Sequence, residues 1–197
     1  MKKLKYPTYS FLFLLSFLIL QSAKAYDFTL SIGNLCEYVG KIQTDNFGST
    51  NLCALNPYLS SSMDYDINES LVFAPEIGFS IPKNGREDHI NKMSLFALSN
   101  AKIKLSMFHF IGGMGFFITR ISGSGGTEDL KNGNSTVSFP IPDSTFYSRN
   151  FIINLGFGVD FNKFWSADAH TYIFNLISNE DRAFSIALNG TYHFGEF

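Results

Sequence analysis

Residues 151–161 read Phe-Ile-Ile-Asn-Leu-Gly-Phe-Gly-Val-Asp-Phe, and residues 184–194 read Phe-Ser-Ile-Ala-Leu-Asn-Gly-Thr-Tyr-His-Phe. Apolar residues fall at nearly every second position, with small or polar residues between them. Side chains along a β-strand alternate between two faces, so each segment predicts a strand with one apolar and one polar face. Strands of this length match the roughly 9–11 residues that a tilted strand needs to cross a bilayer. The pattern therefore predicts a transmembrane β-barrel.

The amino-terminal residues 1–25 have the pattern of a secretory signal peptide. A lysine-rich head is followed by an apolar core from Phe11 to Leu20 and by the small-residue cleavage site Ala23-Lys24-Ala25. A membrane anchor is the alternative, but the core is shorter than the roughly 20 residues of a spanning helix. We expect a mature chain of residues 26–197 that forms one domain, the barrel.

The charge of the mature chain argues against a nucleic-acid partner. Removal of the four lysines in residues 1–25 leaves 11 basic residues against 17 acidic ones, a net charge of −6. Nucleic-acid binding calls for a basic patch. The chain also has 22 phenylalanines, which suit a surface that faces lipid better than a small core. No motif in the sequence calls for a cofactor.

Eight alternating segments are spread over the mature chain, and their connections alternate in length. The predicted long connections are 34–53, 83–91, 123–148 and 177–182, and the predicted short turns are 68–69, 104–106 and 162–164. Outer-membrane barrels have short periplasmic turns and longer extracellular loops. Pro75 is a defect in the third segment, because proline cannot donate to the strand ladder, and such a defect is tolerable at a bulge.

Aromatic residues mark the strand ends next to the predicted short turns. An interfacial girdle of aromatic side chains belongs at that level of a membrane barrel. The residues predicted to form the periplasmic girdle are Tyr65, Phe161, Trp165, Tyr192 and Phe194.

Together, the signal peptide, the eight alternating strands, the girdle and the aromatic last strand resemble the small outer-membrane barrels of the OmpA/OmpX type. The resemblance implies an eight-stranded antiparallel up-and-down barrel in the outer membrane of a Gram-negative bacterium, surrounded by lipid and expected to be a monomer. The end of the last strand, Tyr192-His193-Phe194, looks like the signal read by the barrel-assembly machinery. Members of the family act as wall anchors, adhesins or resistance factors, and less often as lipid-modifying enzymes.

Several charged or polar residues fall on the inward face of the predicted strands. A narrow eight-stranded lumen is filled by side chains, so we expect no open pore, and charges inside must be paired or hydrated. A contact between Glu76 and Lys102 is plausible in sign, although the simplest hairpin register leaves the two residues offset by roughly four positions along the strands. The alternative is that each charge meets water near a rim of the barrel. The predicted polar network of the lumen consists of Asp64, Glu76, Lys102, Asp160, Asp168 and His170.

A catalytic site is not favoured by the sequence. Ser166, Asp168 and His170 share one face of the seventh strand, but residues two apart on a strand lie about 6.6–6.8 Å apart, beyond hydrogen-bond reach. His193 on the last strand could pass closer to Ser166 or to Asp168. An interior hydrogen-bond network is the simpler interpretation, and we expect no enzyme activity. The alternatives are an outer-membrane lipid-modifying enzyme and a soluble periplasmic barrel that binds a ligand.

We therefore expect a structural or surface-interaction role. Loops 34–53 and 123–148 are the longest predicted extracellular segments, and they are the candidate contacts for an unknown surface ligand. Loops carry binding functions more often than the elements that they connect.

The two cysteines, Cys36 and Cys53, flank a polar stretch of an exported chain. A disulfide is expected in that compartment, whereas a metal site would need a second pair of ligands at suitable spacing. We predict that thiol labelling of the denatured, non-reduced protein finds no free cysteine. Two labelled thiols per chain would contradict the bridge.

Overall fold

The computed structural model describes residues 26–39, 43–44, 50–51, 56–84, 90–132, 135–177 and 182–196. The predicted signal peptide, residues 1–25, lies outside these ranges. Among the residues described, no helix is both long and apolar enough to cross a membrane.

Eight long strands make up the main sheet. Their bounds are β1 Tyr26–Val39, β2 Pro57–Asp66, β3 Leu71–Ser80, β4 Ile90–Leu105, β5 Phe108–Gly123, β6 Phe146–Asn162, β7 Trp165–Phe174 and β8 Ala183–Glu196.

The sheet closes on itself. Each long strand pairs antiparallel with the strand before it and the strand after it, including β3 with β4. Closure comes from β1 and β8, where Leu30 lies opposite Tyr192 and Ile32 opposite Gly190. The predicted fold, an eight-stranded antiparallel up-and-down barrel, is confirmed.

Side chains alternate between the outside and the lumen along every long strand. In β5, which has the least regular pattern in the sequence, Phe110 and Phe116 are more than half exposed, while Ile111 and Phe117 are only 4% and 2% exposed. A large apolar side chain left this exposed would be costly in water and is suited to lipid. The outer face therefore forms an apolar belt around the barrel.

One half of the lumen is filled by aromatic rings. Phe96 stacks on Phe117 with ring centroids 6.0 Å apart, and Tyr58, Tyr172 and Phe174 complete this aromatic plug. The plug lies toward the end with the long connections, here called the loop end. Its members come from β2, β4, β5 and β7, so the rings span the lumen from several sides.

Three long connections differ from their predicted bounds. The loop predicted at 34–53 begins later, because β1 continues through Cys36 to Val39. The predicted loop 83–91 is shortened by a strand at Lys83–Asn84 and by the start of β4 at Ile90. Strand ladders extend past the apolar belt here, and polar sequence alone does not reveal such extensions.

The predicted loop 123–148 is present as the connection 124–145 between β5 and β6, but it has strands of its own. It contains the strands Thr127–Asn132 and Ser135–Pro140, which pair with each other and are called the outer hairpin below. The sheet accommodates Pro75 without a bulge, since Pro75 lies opposite Ser99 of β4 without a register shift. The β2–β3 ladder keeps one register on both sides of the proline, although the pairs next to it are missing.

Candidate functional site

The polar half of the lumen lies toward the end with the tight turns, here called the turn end. Lys102 of β4 donates a hydrogen bond to Asp64 Oδ2 of β2 over 2.6 Å. These side chains are only 13% and 9% exposed. The predicted Glu76–Lys102 contact does not form, because the β3–β4 register places Glu76 opposite Leu98 and Lys102 opposite Val72. The two charges are thus four residues apart along the strands.

Glu76 instead begins a chain of polar contacts across the lumen. Asn100 Nδ2 donates to Glu76 Oε2 over 3.0 Å, and Asn154 Nδ2 donates to Asn100 Oδ1 over 2.9 Å. His170 Nδ1 lies 3.2 Å from Asn154 Oδ1. The chain crosses from β3 to β7, so it links strands that are not neighbours in the sheet.

His109 of β5 joins the remaining two predicted lumen residues. Its Nε2 lies 2.7 Å from Asp168 Oδ1, and its Nδ1 lies 3.3 Å from Asp160 Oδ1. Asp168 also accepts hydrogen bonds from Thr191 and Asn189 of β8. A buried carboxylate needs several partners of this kind to offset its lost hydration.

Gly158 makes the His109–Asp168 contact possible. It lies on β6, between β5 and β7, directly opposite both His109 and Asp168. A Cβ atom at this position would come within 2.5 Å of His109 Cε1, so any side chain here would displace the ring. Because Gly158 has no side chain, His109 of β5 and Asp168 of β7 can contact each other across β6.

The sequence prediction missed His109. The residue stands between Phe108 and Phe110, which both face outward, so strand parity alone places His109 in the lumen. The less regular alternation of β5 concealed this signal. Its two aspartate partners were in the predicted set.

A second histidine connects three strands at the turn end. Ser166 Oγ of β7 lies 3.0 Å from His193 Nε2 of β8, and His193 Nδ1 lies 2.8 Å from Asp27 Oδ2 of β1. The backbone N–H of Gly195 donates to Asp27 Oδ1 over 2.9 Å. This closure cluster of Asp27, Ser166 and His193 spans the β1–β8 seam.

In the closure cluster a serine, a histidine and an aspartate contact one another in the same order as in a serine hydrolase. The serine, however, is not accessible as a nucleophile. Ser166 is 3% exposed, and its backbone lies within the ladders to Asp160 and Thr191. Acyl transfer needs a hydroxyl that substrate can reach and donors aimed at the developing oxyanion. Ser166, Asp168 and His170 do not meet, since each contacts a different partner. We interpret the cluster as structural.

Free space remains at two levels within the described part of the lumen. A cavity of about 550 Å³ opens at the turn end, and Asp27, Asp64, Lys102, His109 and His193 are among its lining residues. Deeper in the lumen, between Glu76 and His170, the free space falls to about 10 Å³, the lower limit for one water molecule. Within the residues described, no group of three or more acidic, histidine or cysteine side chains could hold a metal ion.

The five aromatic residues predicted to form a girdle lie at the turn end on the outer face. Tyr192 is their centre, with the ring of Trp165 4.9 Å away and the ring of Phe194 5.0 Å away. Phe161 is 67% exposed, and Tyr65 stands beside Tyr26 at 6.2 Å. Tyrosine and tryptophan with one apolar and one polar end suit a membrane–water interface.

Cys36 lies near the loop end of β1, opposite Ile186 of β8. Cys53 is outside the described residues. The bridge between them stays a prediction.

No family model matches the sequence, and no curated protein matches it either. Among solved structures, Ail, the attachment invasion locus protein of Yersinia pestis, superposes with a TM-score of 0.53 at 8% identity, covering 86% of this chain and 98% of Ail. The chain has the fold of the small outer-membrane β-barrels. At this identity the likeness concerns the fold alone.

Two other outer-membrane barrels are similar in outline. Neisserial surface protein A has a TM-score of 0.46 at 13% identity, with 85% of this chain and 95% of that protein covered. The amino-terminal barrel of Pseudomonas aeruginosa OprF has a TM-score of 0.45 at 12% identity, with 87% and 99% covered.

The ion pairs of this outer-membrane barrel predict an order of mutational effects. Asp64→Ala would leave the Lys102 ammonium buried without its partner and should lower the free energy of unfolding by roughly 3–5 kcal/mol. Glu76→Ala leaves an amide unpaired and should cost about 1–3 kcal/mol. Unfolding midpoints in urea, measured on the refolded proteins in lipid vesicles, give this comparison.

Asp66→Ala is the matched control for Asp64→Ala. Asp66 pairs with Lys104 over 3.0 Å, but both side chains are about 40% exposed. Exposed pairs contribute about 1 kcal/mol or less. If Asp64→Ala and Asp66→Ala lowered the free energy of unfolding by equal amounts, the importance of the buried pair would be contradicted.

Proposed function

We propose that this outer-membrane barrel is a surface-interaction protein that acts through its loop end, without enzymatic turnover, a cofactor or an open pore. The outer hairpin is the observation that carries the proposal. It is an ordered pair of strands outside the barrel sheet, at the end where outer-membrane barrels have their extracellular loops. A segment with its own ladder presents a defined shape to a partner at little further entropic cost.

The outer hairpin leaves both of its long edges open in the described sheets. Six residue pairs join its strands, from Ser135 opposite Asn132 to Pro140 opposite Thr127. The ladder continues toward the barrel through hydrogen bonds between Gly125 and Pro142 and between Ile141 and Gly126. Unpaired strand edges are templates for an added strand, and an extended peptide can bind in this way.

The two edges differ in charge. Thr127–Asn132 contains Glu128, Asp129 and Lys131, whereas Ser135–Pro140 contains no charged residue. Proteins protect strand edges from unwanted pairing with charged side chains. The Ser135–Pro140 edge is therefore the better surface for a partner in extended conformation. Of loop 34–53, the structure describes a short pairing of Gln43–Thr44 with Thr50–Asn51, and we propose that this loop contributes to the same surface.

We propose that outer-membrane lipid surrounds the apolar belt and that the chain is a monomer. Assembly would use the barrel-assembly machinery, with the aromatic end of β8 as its signal. A soluble ligand-binding barrel would not place side chains such as Phe116, 56% exposed, on its outer face. A lipid-modifying enzyme would need an accessible nucleophile, and the buried Ser166 does not favour one.

We predict that replacing residues 127–140 by a short Gly-Ser linker leaves a folded barrel, because the outer hairpin adds no strand to it. Cells that display the intact chain should bind immobilised extended peptides or surface proteins that cells with the replaced hairpin do not bind. Heat-modifiable migration on gels checks folding of both forms. Equal binding by the two forms across such a panel would contradict the proposed role.

Display of the hairpin is tested separately with single cysteines. Val137→Cys should react with a membrane-impermeant maleimide on intact cells, since Val137 is 40% exposed on the hairpin. Lys163→Cys, in the tight turn after β6, should react only after the cells are opened. Labelling in the reverse order would contradict the proposed orientation.

We also predict that the refolded protein shows no steady, porin-sized conductance in planar bilayers. The aromatic plug and the polar network occupy the lumen of an eight-stranded barrel, whereas water-filled porins use about 16–18 strands. The variant with Phe96, Phe117 and Tyr172 all replaced by Ala should conduct more often, if it folds. Large, stable channels from the unmodified protein would contradict a closed lumen.

A further inference from the structure

Two arginines lie on the lipid-facing surface at the loop end of neighbouring strands. Arg120 of β5 and Arg149 of β6 are both exposed. Arg149 has the parity of Phe151 and Arg120 that of Phe116, and both of these phenylalanines are more than half exposed on the apolar belt. The arginines therefore project outward, away from the lumen.

The depth of these arginines relative to the membrane follows from the position of the apolar belt. Phe151 and Phe161 stand at the two ends of the belt on β6, ten residues apart. At about 3.3 Å per residue and a tilt near 40°, that separation is roughly 25 Å across the membrane, which is the height of the apolar band of outer-membrane barrels. Arg149 is two residues beyond Phe151. Its side chain therefore belongs to the layer of lipid headgroups.

Both arginines can reach one ligand. In the β5–β6 ladder, Arg149 is opposite Ile118 and Arg120 is opposite Tyr147, so the arginines form a diagonal pair on one face. Diagonal neighbours of this kind are about 7–8 Å apart, within reach of long side chains. On its other side Arg120 faces Met93 of β4. The cross-strand partners of the pair thus carry no negative charge.

The other cations of the eight long strands have partners within the chain. Lys92 pairs with Glu37, Lys102 with Asp64 and Lys104 with Asp66. Within the part of the chain that the structure describes, Arg120 and Arg149 have no ion pair and no side-chain hydrogen bond. A charged side chain at a membrane boundary is expensive unless it meets water or an opposite charge. The described part of the chain thus offers no counter-charge to this pair, and a ligand with negative charge would supply one.

We propose that Arg120 and Arg149 bind the phosphate of an anionic lipid headgroup in the outer leaflet of the membrane. A guanidinium donates two parallel hydrogen bonds to phosphate oxygens, and two such groups on one face match a doubly charged phosphomonoester. The exposed Phe116 and Phe151, whose rings are 5.9 Å apart, lie directly below and would contact the acyl chains of the same lipid. This site does not depend on the proposed surface-interaction role.

The test uses the mature chain refolded in phosphatidylcholine with added phosphatidic acid as the phosphomonoester probe. Native mass spectrometry measures the Kd of the first phosphatidic acid retained by the protein. Removing both charges in R120Q/R149Q should raise this Kd roughly ten- to thirty-fold, from the contribution of each arginine near an anionic surface. The Kd of R120K/R149K should lie between those of the wild type and R120Q/R149Q, because lysine keeps the charge but cannot donate two parallel hydrogen bonds.

Three controls make the result specific. K163Q removes an exposed cation at the turn end and should leave the Kd unchanged. Heat-modifiable migration confirms that each variant is folded, and the lysine variant serves if the glutamine variant does not fold. Inorganic phosphate added at 10-fold excess over phosphatidic acid should not displace the bound phosphatidic acid. Equal Kd values for wild type, R120K/R149K and R120Q/R149Q, or displacement by free phosphate, would overturn the lipid site.

Discussion

Closure of the sheet between β1 and β8 is the constraint on which the rest of this structure depends. In hydrocarbon an unpaired N–H or C=O costs several kcal/mol, so a sheet can cross a membrane only if it has no open edge. The pairing of Leu30 with Tyr192 and of its neighbours removes the last edge of the eight strands. The closure cluster adds side-chain contacts at the same seam, through His193 between Asp27 and Ser166.

Closure with eight strands leaves a lumen that side chains must fill, and this chain fills it in two ways. Aromatic rings such as Phe96 and Phe117 occupy the loop end, and charges and amides occupy the turn end. Charged side chains can be buried in the polar half because nearly every charge has a partner, as in the contacts of His109 with Asp160 and Asp168. The lumen is therefore filled except for the cavity that opens at the turn end, and the proposed binding role rests on the loop end instead.

Strand number, strand faces and the order of long and short connections could be predicted because alternation is a local property of the sequence. Register is not local. The Glu76–Lys102 contact was plausible in sign only, and the β3–β4 register imposes the offset of four residues that the simplest hairpin already suggested. His109 was missed because the irregular alternation of β5 concealed its inward position, and its contact with Asp168 over Gly158 depends on the register of three strands. The outer hairpin was hidden because its polar sequence resembles a loop.

Accessibility of spin labels along β5 tests the central claim most directly. Single labelled cysteines at residues 108–117 of the protein in vesicles would be compared for collision with oxygen, which concentrates in lipid. The account predicts high values at Phe108, Phe110, Met114 and Phe116, with low values at the intervening positions His109, Ile111 and Phe117. A profile without this period of two, or high accessibility to a water-soluble nickel reagent at the phenylalanines, would contradict a lipid-embedded barrel with a filled lumen.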